Sequence, residues 1–311
     1  MFQYILDRSL DPDFARARLA RAVARRVARV HDPLVRYSLN GRALALPLSH
    51  DLPWNIRVHP TYSDNLRRLA AFVRQREGHL HLIDVGANVG DSWALAQPKL
   101  PADRAGDTFL LIEGSPRYFA LLERNTRDVP GVTCVCRLIS DTLGATDASI
   151  VLDEGNARVL TGGAHAERLE FDTLDHLLET QVSARAANLV KVDVEGADPK
   201  VLRGARGLIA RARPVLMFEH SPRELVASGQ SDRAIFDELA EWGYPRVLLY
   251  DHRGLLLAEA STSEVAPLDG FLRYARMQPA FYYDVCAFPG HTDAYAEFVR
   301  SEQAFYATLE S

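Results

Sequence analysis

Three features of the sequence predict an α/β fold: a mostly parallel sheet with helices on both faces, preceded by a helical extension. Strand-length apolar runs alternate with amphipathic helical segments, charged residues stand just past several of those runs, and a glycine turn follows the first of them. Parallel neighbours need crossover helices, which bury both faces of the sheet and make its strands nearly continuous Val, Ile and Leu. Ligands on such sheets bind at the carboxyl ends of the strands, near the point where strand order reverses. The informative residues are therefore those that follow each strand.

The chain has 311 residues, enough for one large domain with additions. Residues 12–30 read as an amphipathic helix: Leu19, Val23, Val27 and Val30 form the stripe expected to face the core, and Arg18, Arg21, Arg25 and Arg29 share another face. Those arginines read either as a solvated face or as a contact for a partner, a lipid surface or an anionic substrate. His31-Asp32-Pro33 ends the helix. Residues 34–60 read as irregular, with strand signals around Ala43–Leu48 and turns at Asn40-Gly41, Pro47, Pro53 and Pro60. A helix from Asp64 to Gln75 would bury Leu66, Leu69, Ala70 and Val73, capped by Ser63 or Asp64.

Strands are expected at Leu80–Val85, Thr108–Ile112, Val132–Ile139, Leu189–Val194, Val215–Phe218 and Arg246–Tyr250. Helices are expected at Ser115–Thr126, Leu174–Glu179, Pro199–Arg211 and Asp232–Trp242, with a tail helix near Asp293–Leu309. Phe281-Tyr282-Tyr283-Asp284 reads as a late strand or edge without assigned chemistry. The expected organisation is an extension (1–60) serving as a lid or oligomer contact, a catalytic domain (61–290) and a C-terminal helix (291–311).

Composition narrows the function. The apolar share is 47% and the charged share 25%, those of an ordinary globular protein, and the net charge of −5 argues against a broad surface for nucleic acid. No apolar run is long enough for a membrane span. Asp7, Arg8, Asp11 and Asp13 leave no room for a secretory apolar segment. Cys134, Cys136 and Cys286 form no even framework, so a reducing, cytoplasmic setting is expected. An Ala/Arg bias suggests a GC-rich, bacterial coding sequence.

The glycine turn reads Asp84-Val85-Gly86-Ala87-Asn88-Val89-Gly90. A dinucleotide fingerprint carries a second glycine where Asn88 stands, and the asparagine side chain would crowd a diphosphate. Asn88 still tolerates left-handed backbone, so the turn survives while its ligand changes. Asp84 repels phosphate and attracts an ammonium group. The second strand leads into Glu113-Gly114-Ser115-Pro116, where an acid accepts both hydroxyls of a ribose and Ser115 is expected to cap a helix with Pro116 at its first position. A ribose joined to an amino acid, without phosphate, is S-adenosylmethionine.

Lys191, Asp193 and Glu195 alternate at the mouth of the fourth strand. They read as a structural ion pair or as the border of a methyl-transfer point. Past the fifth strand stand Glu219 and His220. These could accept a proton, hold a divalent metal together with Asp193, or serve structure alone.

"IDVGANVG" (Ile83–Gly90), "LIEGSPRYFALLERN" (Leu111–Asn125), "LVKVDVEGADPKVLRGA" (Leu189–Ala205) and "PVLMFEH" (Pro214–His220), in this order, resemble the FkbM-type S-adenosylmethionine-dependent methyltransferases. The resemblance spans roughly Tyr62 to Tyr250. It implies a class I methyltransferase, Rossmann-like fold of seven strands with an antiparallel last pair, and transfer to a hydroxyl oxygen. By matching position Asp84, Gly86, Asn88 and Glu113 would hold the cofactor, Asp141 would lie near the adenine and Asp193 near the methionine amino end. Ala87, Gly90, Gly114 and Ser115 complete that wall. Asp198 stands where the family usually has Glu, and Gln97–Asp107 is longer than usual, which would reshape the cofactor's rim. "LPLSHDLPWNIRVHPTYSDN" resembles a preamble of members that act on sugars or surface glycans, which makes Tyr62, His59 and His50 rim candidates.

The expected activity is therefore methylation of a hydroxyl on a sugar, glycan or small natural product, with no metal as the favoured case. His220 is the favoured base because an imidazole titrates near neutrality, with Glu195, Glu219 and Lys191 as its companions. A non-catalytic S-adenosylmethionine-binding partner protein, an N-methyltransferase and an NAD-dependent oxidoreductase are the alternatives. The terminal helices could each pair protomers in a homo-oligomer.

Overall fold

In a computed structural model the chain is described at residues 1–97, 106–127, 129–153, 155–161, 166–279 and 281–310. Two helices, α1 (Phe2–Ser9) and α2 (Phe14–Ala28), lead into a hairpin of β1 (Leu34–Leu39) and β2 (Arg42–Pro47) that turns through Asn40-Gly41. Then follow α3 (Leu52–Val58), α4 (Asp64–Glu77), β3 (His81–Val85), α5 (Asp91–Ala96), β4 (Thr108–Glu113), α6 (Pro116–Thr126) and β5 (Val132–Cys136). An inserted sheet comprises β6 (Leu138–Ile139), β7 (Gly144–Asp153), β8 (Asn156–Thr161) and β9 (Glu167–Asp172). The main fold resumes with α7 (Leu174–Thr180), β10 (Leu189–Val192), α8 (Asp198–Arg203), α9 (Arg206–Ala212), β11 (Val215–His220), α10 (Pro222–Ala227) and α11 (Ala234–Glu241). It closes with β12 (Arg246–Asp251), β13 (Leu256–Ser261), α12 (Val265–Met277), β14 (Tyr283–Phe288) and α13 (Ala294–Glu310).

The main sheet has eight strands in the order β13-β12-β14-β11-β10-β3-β4-β5. Seven carry the expected class I arrangement: β5, β4, β3, β10 and β11 pair in parallel, and β14 runs antiparallel between β11 and β12. The eighth, β13, pairs antiparallel with β12 at the edge. Strand order reverses between β3 and β10, so the cleft opens there. Two apolar layers cover the faces. One gathers Leu66, Leu69, Trp93, Leu122 and Phe298; the other gathers Leu174, Leu208, Phe236, Leu239 and Leu268. Helix α13 is fixed to the first layer by Phe298 and by Glu302, which takes two bonds from Arg68 (2.6 and 2.8 Å) and one from Tyr250 Oη (2.8 Å).

Several elements differ from the sequence reading. The Leu19, Val23 and Val30 side chains of the α2 region are exposed, and Ala17 and Ala24 face the body instead. Small side chains let two backbones approach closely, so alanine rather than valine decides the packed side. The segment read as one strand over Val132–Ile139 divides between two sheets, and the segment read as one helix over Pro199–Arg211 breaks at Gly204. A side chain there would lie 2.1 Å from the Ser140 carbonyl oxygen, so the chain bends where only glycine fits. Residues 34–39 pair as β1, and Tyr283–Phe288 sits inside the sheet rather than at its edge. Of the segment expected to reshape the rim, residues 98–105 lie outside the described residues.

Candidate active site

A cleft of about 930 Å³ opens at the carboxyl ends of β3, β4, β10 and β11. Its geometry begins with Gly86. The turn after β3 passes so close to the end of β10 that a Cβ on Gly86 would stand 1.8 Å from the Asp193 carbonyl oxygen. Glycine there, at φ +85°, lets the first turn and the Asp193 segment share one wall.

Asn88 takes left-handed backbone at φ +47° and acts as a hub. Its backbone N–H donates to Glu113 Oε2 (2.8 Å), its amide donates to the Gly155 carbonyl (2.6 Å), and its Oδ1 lies 3.3 Å from His50 Nε2. His50 Nδ1 accepts from the Leu52 N–H (3.2 Å), so Nε2 carries the proton and donates to Asn88. The asparagine in the place of a fingerprint glycine therefore ties the β7–β8 turn and the N-terminal segment to the first glycine turn.

Glu113 accepts from two backbone groups, Asn88 N–H and Ser115 N–H (2.7 Å). A carboxylate has about four lone-pair sites, so two bonds leave acceptor capacity toward the cleft that Glu113 lines. Burial pushes its carboxyl up to about 7, against the pull of the Ser115 and Asn88 N–H groups. Gly114, Ser115 and Asp141 continue this wall.

Lys191 stands at the centre, with Nζ 3.3 Å from Asp84 Oδ1 and 3.2 Å from Asp193 Oδ2. Burial alone would lower its pKa, but Asp193 and then Asp84 outweigh that and hold the ammonium above its usual value. Asp84 is fully buried and does not line the cleft. Burial raises its carboxyl to about 6 despite Lys191. Asp84 thus meets Lys191, not a ligand, and acts on Asp193 through it. Ala87 and Gly90 are likewise away from the wall.

Strand β10 ends at Val192, two residues earlier than the sequence suggests, so Asp193 and Glu195 sit in the following turn. Glu195 has φ +56°, an uncommon backbone for a residue with a side chain, and its carboxylate lies 3.6 Å from Arg158. Burial, and then Asp193, push its carboxyl up to about 7. Asp198 is buried and ties the next segment together, accepting from the N–H groups of Gly196 (3.3 Å) and Glu219 (3.2 Å).

The largest departure concerns His220. Strand β11 runs two residues further than expected and pairs Glu219 with Asp284 and His220 with Tyr283. Side chains alternate along a strand, so Glu219 faces the cleft and His220 faces the opposite layer. There the imidazole is fully buried, 5.0 Å from the Phe236 ring and 6.4 Å from that of Phe218, both edge to face. Burial lowers its pKa to about 4. A neutral ring behind the sheet cannot reach an acceptor. Nor can Asp193, Glu219 and His220 share a metal, since His220 is on the other side; among the described residues no group of three or more His, Cys, Asp or Glu side chains is placed to hold one. Replacing His220 with Leu is accordingly expected to change turnover by no more than about threefold, because the reacting groups are untouched. Steady-state kinetics and a melting curve check this, and a loss of ~10²-fold with an unchanged melting curve would return His220 to the chemistry.

Sequence reasoning had no signal for several lining residues. Tyr62 and His50 line the cleft, His59 does not, and Asp91, Ser92, Arg158, Arg223 and Tyr282 join them. Arg158 and Ile150 arrive on the β7–β8 hairpin, whose period is obscured by half-exposed positions on both faces. Among the described residues no helix is long and apolar enough to cross a membrane.

The donor set fits S-adenosylmethionine on the structure's own terms. Glu113 keeps acceptor capacity toward the cleft on one side, Asp193 offers a Lys191-braced carboxylate on the other, and the Asn88 side chain is committed to protein partners where a diphosphate would need bare backbone. No curated protein matches the chain. Among solved structures, a methyltransferase FkbM from Methylobacillus flagellatus KT is 18% identical at a TM-score of 0.31, over 46% of this chain and 33% of that one, so the present chain spans about a third of its length. The N-terminal domain of human METTL16 in complex with SAH is 12% identical at 0.40, over 89% of this chain and 84% of that one. A precorrin-6y C5,15-methyltransferase from Geobacter metallireducens GS-15 is 10% identical at 0.36, over 68% and 80%. Overlaps this loose carry no inference. The match to the methyltransferase FkbM domain does, since it runs over residues 84–245, more than half of the chain. A class I sheet, a cleft that suits a sulfonium amino acid better than a dinucleotide, and that match together mean that the chain belongs to the FkbM family of S-adenosylmethionine-dependent methyltransferases.

Proposed function

We propose that the protein methylates a hydroxyl oxygen of a sugar, a glycan or a small natural product, in the cytoplasm. One observation carries the reading: the Glu219 carboxyl shares a cleft with Asp193 and is walled by Tyr62, Tyr282, Arg158 and Ser221, groups that hydrogen-bond or stack against a polyhydroxylated ring. Gly86, Asn88, Glu113, Gly114, Ser115, Asp141 and Asp193 hold the donor in this reading. When bound, S-adenosylmethionine supplies a methyl group already activated by positive sulfur. The chain's own contribution is then orientation and a place for one proton.

Glu219 takes that proton from the acceptor hydroxyl. Its carboxyl is pushed well above the usual value, first by burial and then by the charges of Asp193, Glu195 and Asp198, while Ser221 Oγ donates to it at 2.9 Å. A carboxylate made more basic in this way is a better proton acceptor than one in water. Lys191 keeps the Asp193 carboxylate in place, and Asp84 keeps Lys191 charged. Tyr62 and Tyr282 line the same cleft and offer aromatic faces to an acceptor ring.

Calorimetry tests the donor site: saturable binding of S-adenosylmethionine and none of NAD is expected. NAD binding without S-adenosylmethionine binding would overturn the reading, and tight donor binding without any product would favour a non-catalytic partner protein. The acceptor class is tested with methyl-labelled donor against a panel of sugars, glycans and phenolic or aliphatic alcohols. Label located on oxygen supports the proposal, and label located on nitrogen overturns it.

A further inference from the structure

Helix α2 is built inside out. Its packed side is alanine, with Ala17 and Ala24 buried, whereas Leu19 is 70% exposed, Val23 44% and Val30, in the turn that follows, 91%. At ~100° per residue these three aliphatic side chains fall within an arc of about 40°, with Arg26 at its edge. Arg18 and Arg29 flank one side of the strip and Arg16 the other. Between Phe14 and Val30 the chain carries six arginines and no acid, although its net charge is −5. Arg21 and Arg25 turn inward to Asp51. Arg18, Arg26 and Arg29 are exposed and enter no ion pair among the described residues.

We propose that this face of α2 docks on an anionic phospholipid surface. An exposed aliphatic strip bordered by arginine matches a bilayer interface, where the strip enters the acyl boundary and the guanidinium groups meet lipid phosphates. The alternatives fit less well. A second copy joined by a two-fold axis would set two arginine borders against each other with no acid on either helix. Nucleic acid would satisfy the arginines but not the aliphatic strip between them. Asp51, the anchor of Arg21 and Arg25, also lines the cleft, so α2 borders the cleft through its inner side while the aliphatic strip is turned away from Asp51. The inference is independent of which acceptor the cleft takes.

Flotation of the full chain with phosphatidylglycerol–phosphatidylcholine vesicles, against pure phosphatidylcholine vesicles, tests it. Binding to the anionic vesicles is expected to be at least about tenfold stronger and to weaken with salt. The triple variant Leu19→Gln/Val23→Gln/Val30→Gln and the triple variant Arg18→Gln/Arg26→Gln/Arg29→Gln should each lose about tenfold. Every replaced side chain is exposed, so both variants keep S-adenosylmethionine binding as the check on folding. Equal or absent binding to the two vesicle types overturns the proposal, as does an aliphatic variant that binds like the parent chain. Two other outcomes reassign the surface: an RNA or DNA oligonucleotide bound by parent and aliphatic variant alike but not by the arginine variant, and a dimer in sedimentation that the aliphatic substitutions dissolve.

Discussion

Replacing Glu219 with Gln is expected to lower turnover by ~10²-fold or more while S-adenosylmethionine affinity stays within about threefold. The substitution keeps the size of the side chain, its place opposite Asp284 in the sheet and its contact with Ser221, and removes only the ability to take a proton. The pH dependence gives the second readout. Because burial and the charges of Asp193, Glu195 and Asp198 raise the Glu219 carboxyl, the ionised form needed to accept a proton is scarce at low pH and becomes populated only as pH rises through that elevated value. Turnover by the parent enzyme should therefore climb as pH rises above the ordinary carboxylate range, and the climb should vanish in Glu219→Gln. A parent rate that falls over the same range would mean that the protonated carboxyl is the working form, donating a hydrogen bond, and the base would have to be sought elsewhere. Equal rates for parent and variant would remove Glu219 from the reaction altogether.

That prediction turns on one strand boundary. The sequence makes the strand pattern of Val215–Phe218 plain, but nothing local says that pairing with β14 carries β11 on to His220. With the strand ended early, Glu219 and His220 look like two free groups in one loop; with two more residues paired, alternation sends them to opposite faces. Long-range pairing overrode the local signal, and an imidazole's near-neutral pKa drew attention to a residue that is buried away from the cleft. The cleft wall was more legible, because Gly86, Asn88, Glu113 and Asp193 follow directly from β3, β4 and β10, whose central apolar runs are unambiguous. The β7–β8 hairpin was not legible at all. Most of its described side chains other than Ala148 are half-exposed or exposed, so no clear period of two appears, and it is tied to the glycine turn by a hydrogen bond between Asn88 and Gly155, 67 positions apart. In α2 the period was read correctly and the facing was not, since alanines rather than the larger aliphatics mark the packed side.

Replacing Lys191 with Met is expected to destabilise the fold by about 3–5 kcal/mol near pH 8, the range for removing one partner of a buried ionic set. Lys191 is nearly buried and bridges Asp84, which has no exposure at all, to Asp193. Methionine fills a similar volume without the charge, so the loss comes from an uncompensated Asp84 carboxylate rather than from a cavity. The sign with pH follows from that carboxylate. In the parent chain burial already raises Asp84 to about 6, and Lys191 opposes the rise; without Lys191 the folded-state value climbs further while the unfolded value stays near ~4. A carboxyl with a raised folded-state pKa contributes full stability only below its unfolded pKa, and that stability is lost as pH rises through the folded value. The deficit of Lys191→Met should thus be greatest at pH 8 and shrink toward pH 5, where the buried carboxyl is protonated in both proteins. At about 2–4 °C per kcal/mol for a large domain, the melting temperature should fall by ~6–20 °C at the higher pH. Asp84→Asn added to Lys191→Met should recover much of the loss, because a neutral amide has no charge to strand. A deficit that is flat with pH, or a double variant no more stable than Lys191→Met alone, would mean that Lys191 supports the fold by packing and not by neutralising Asp84.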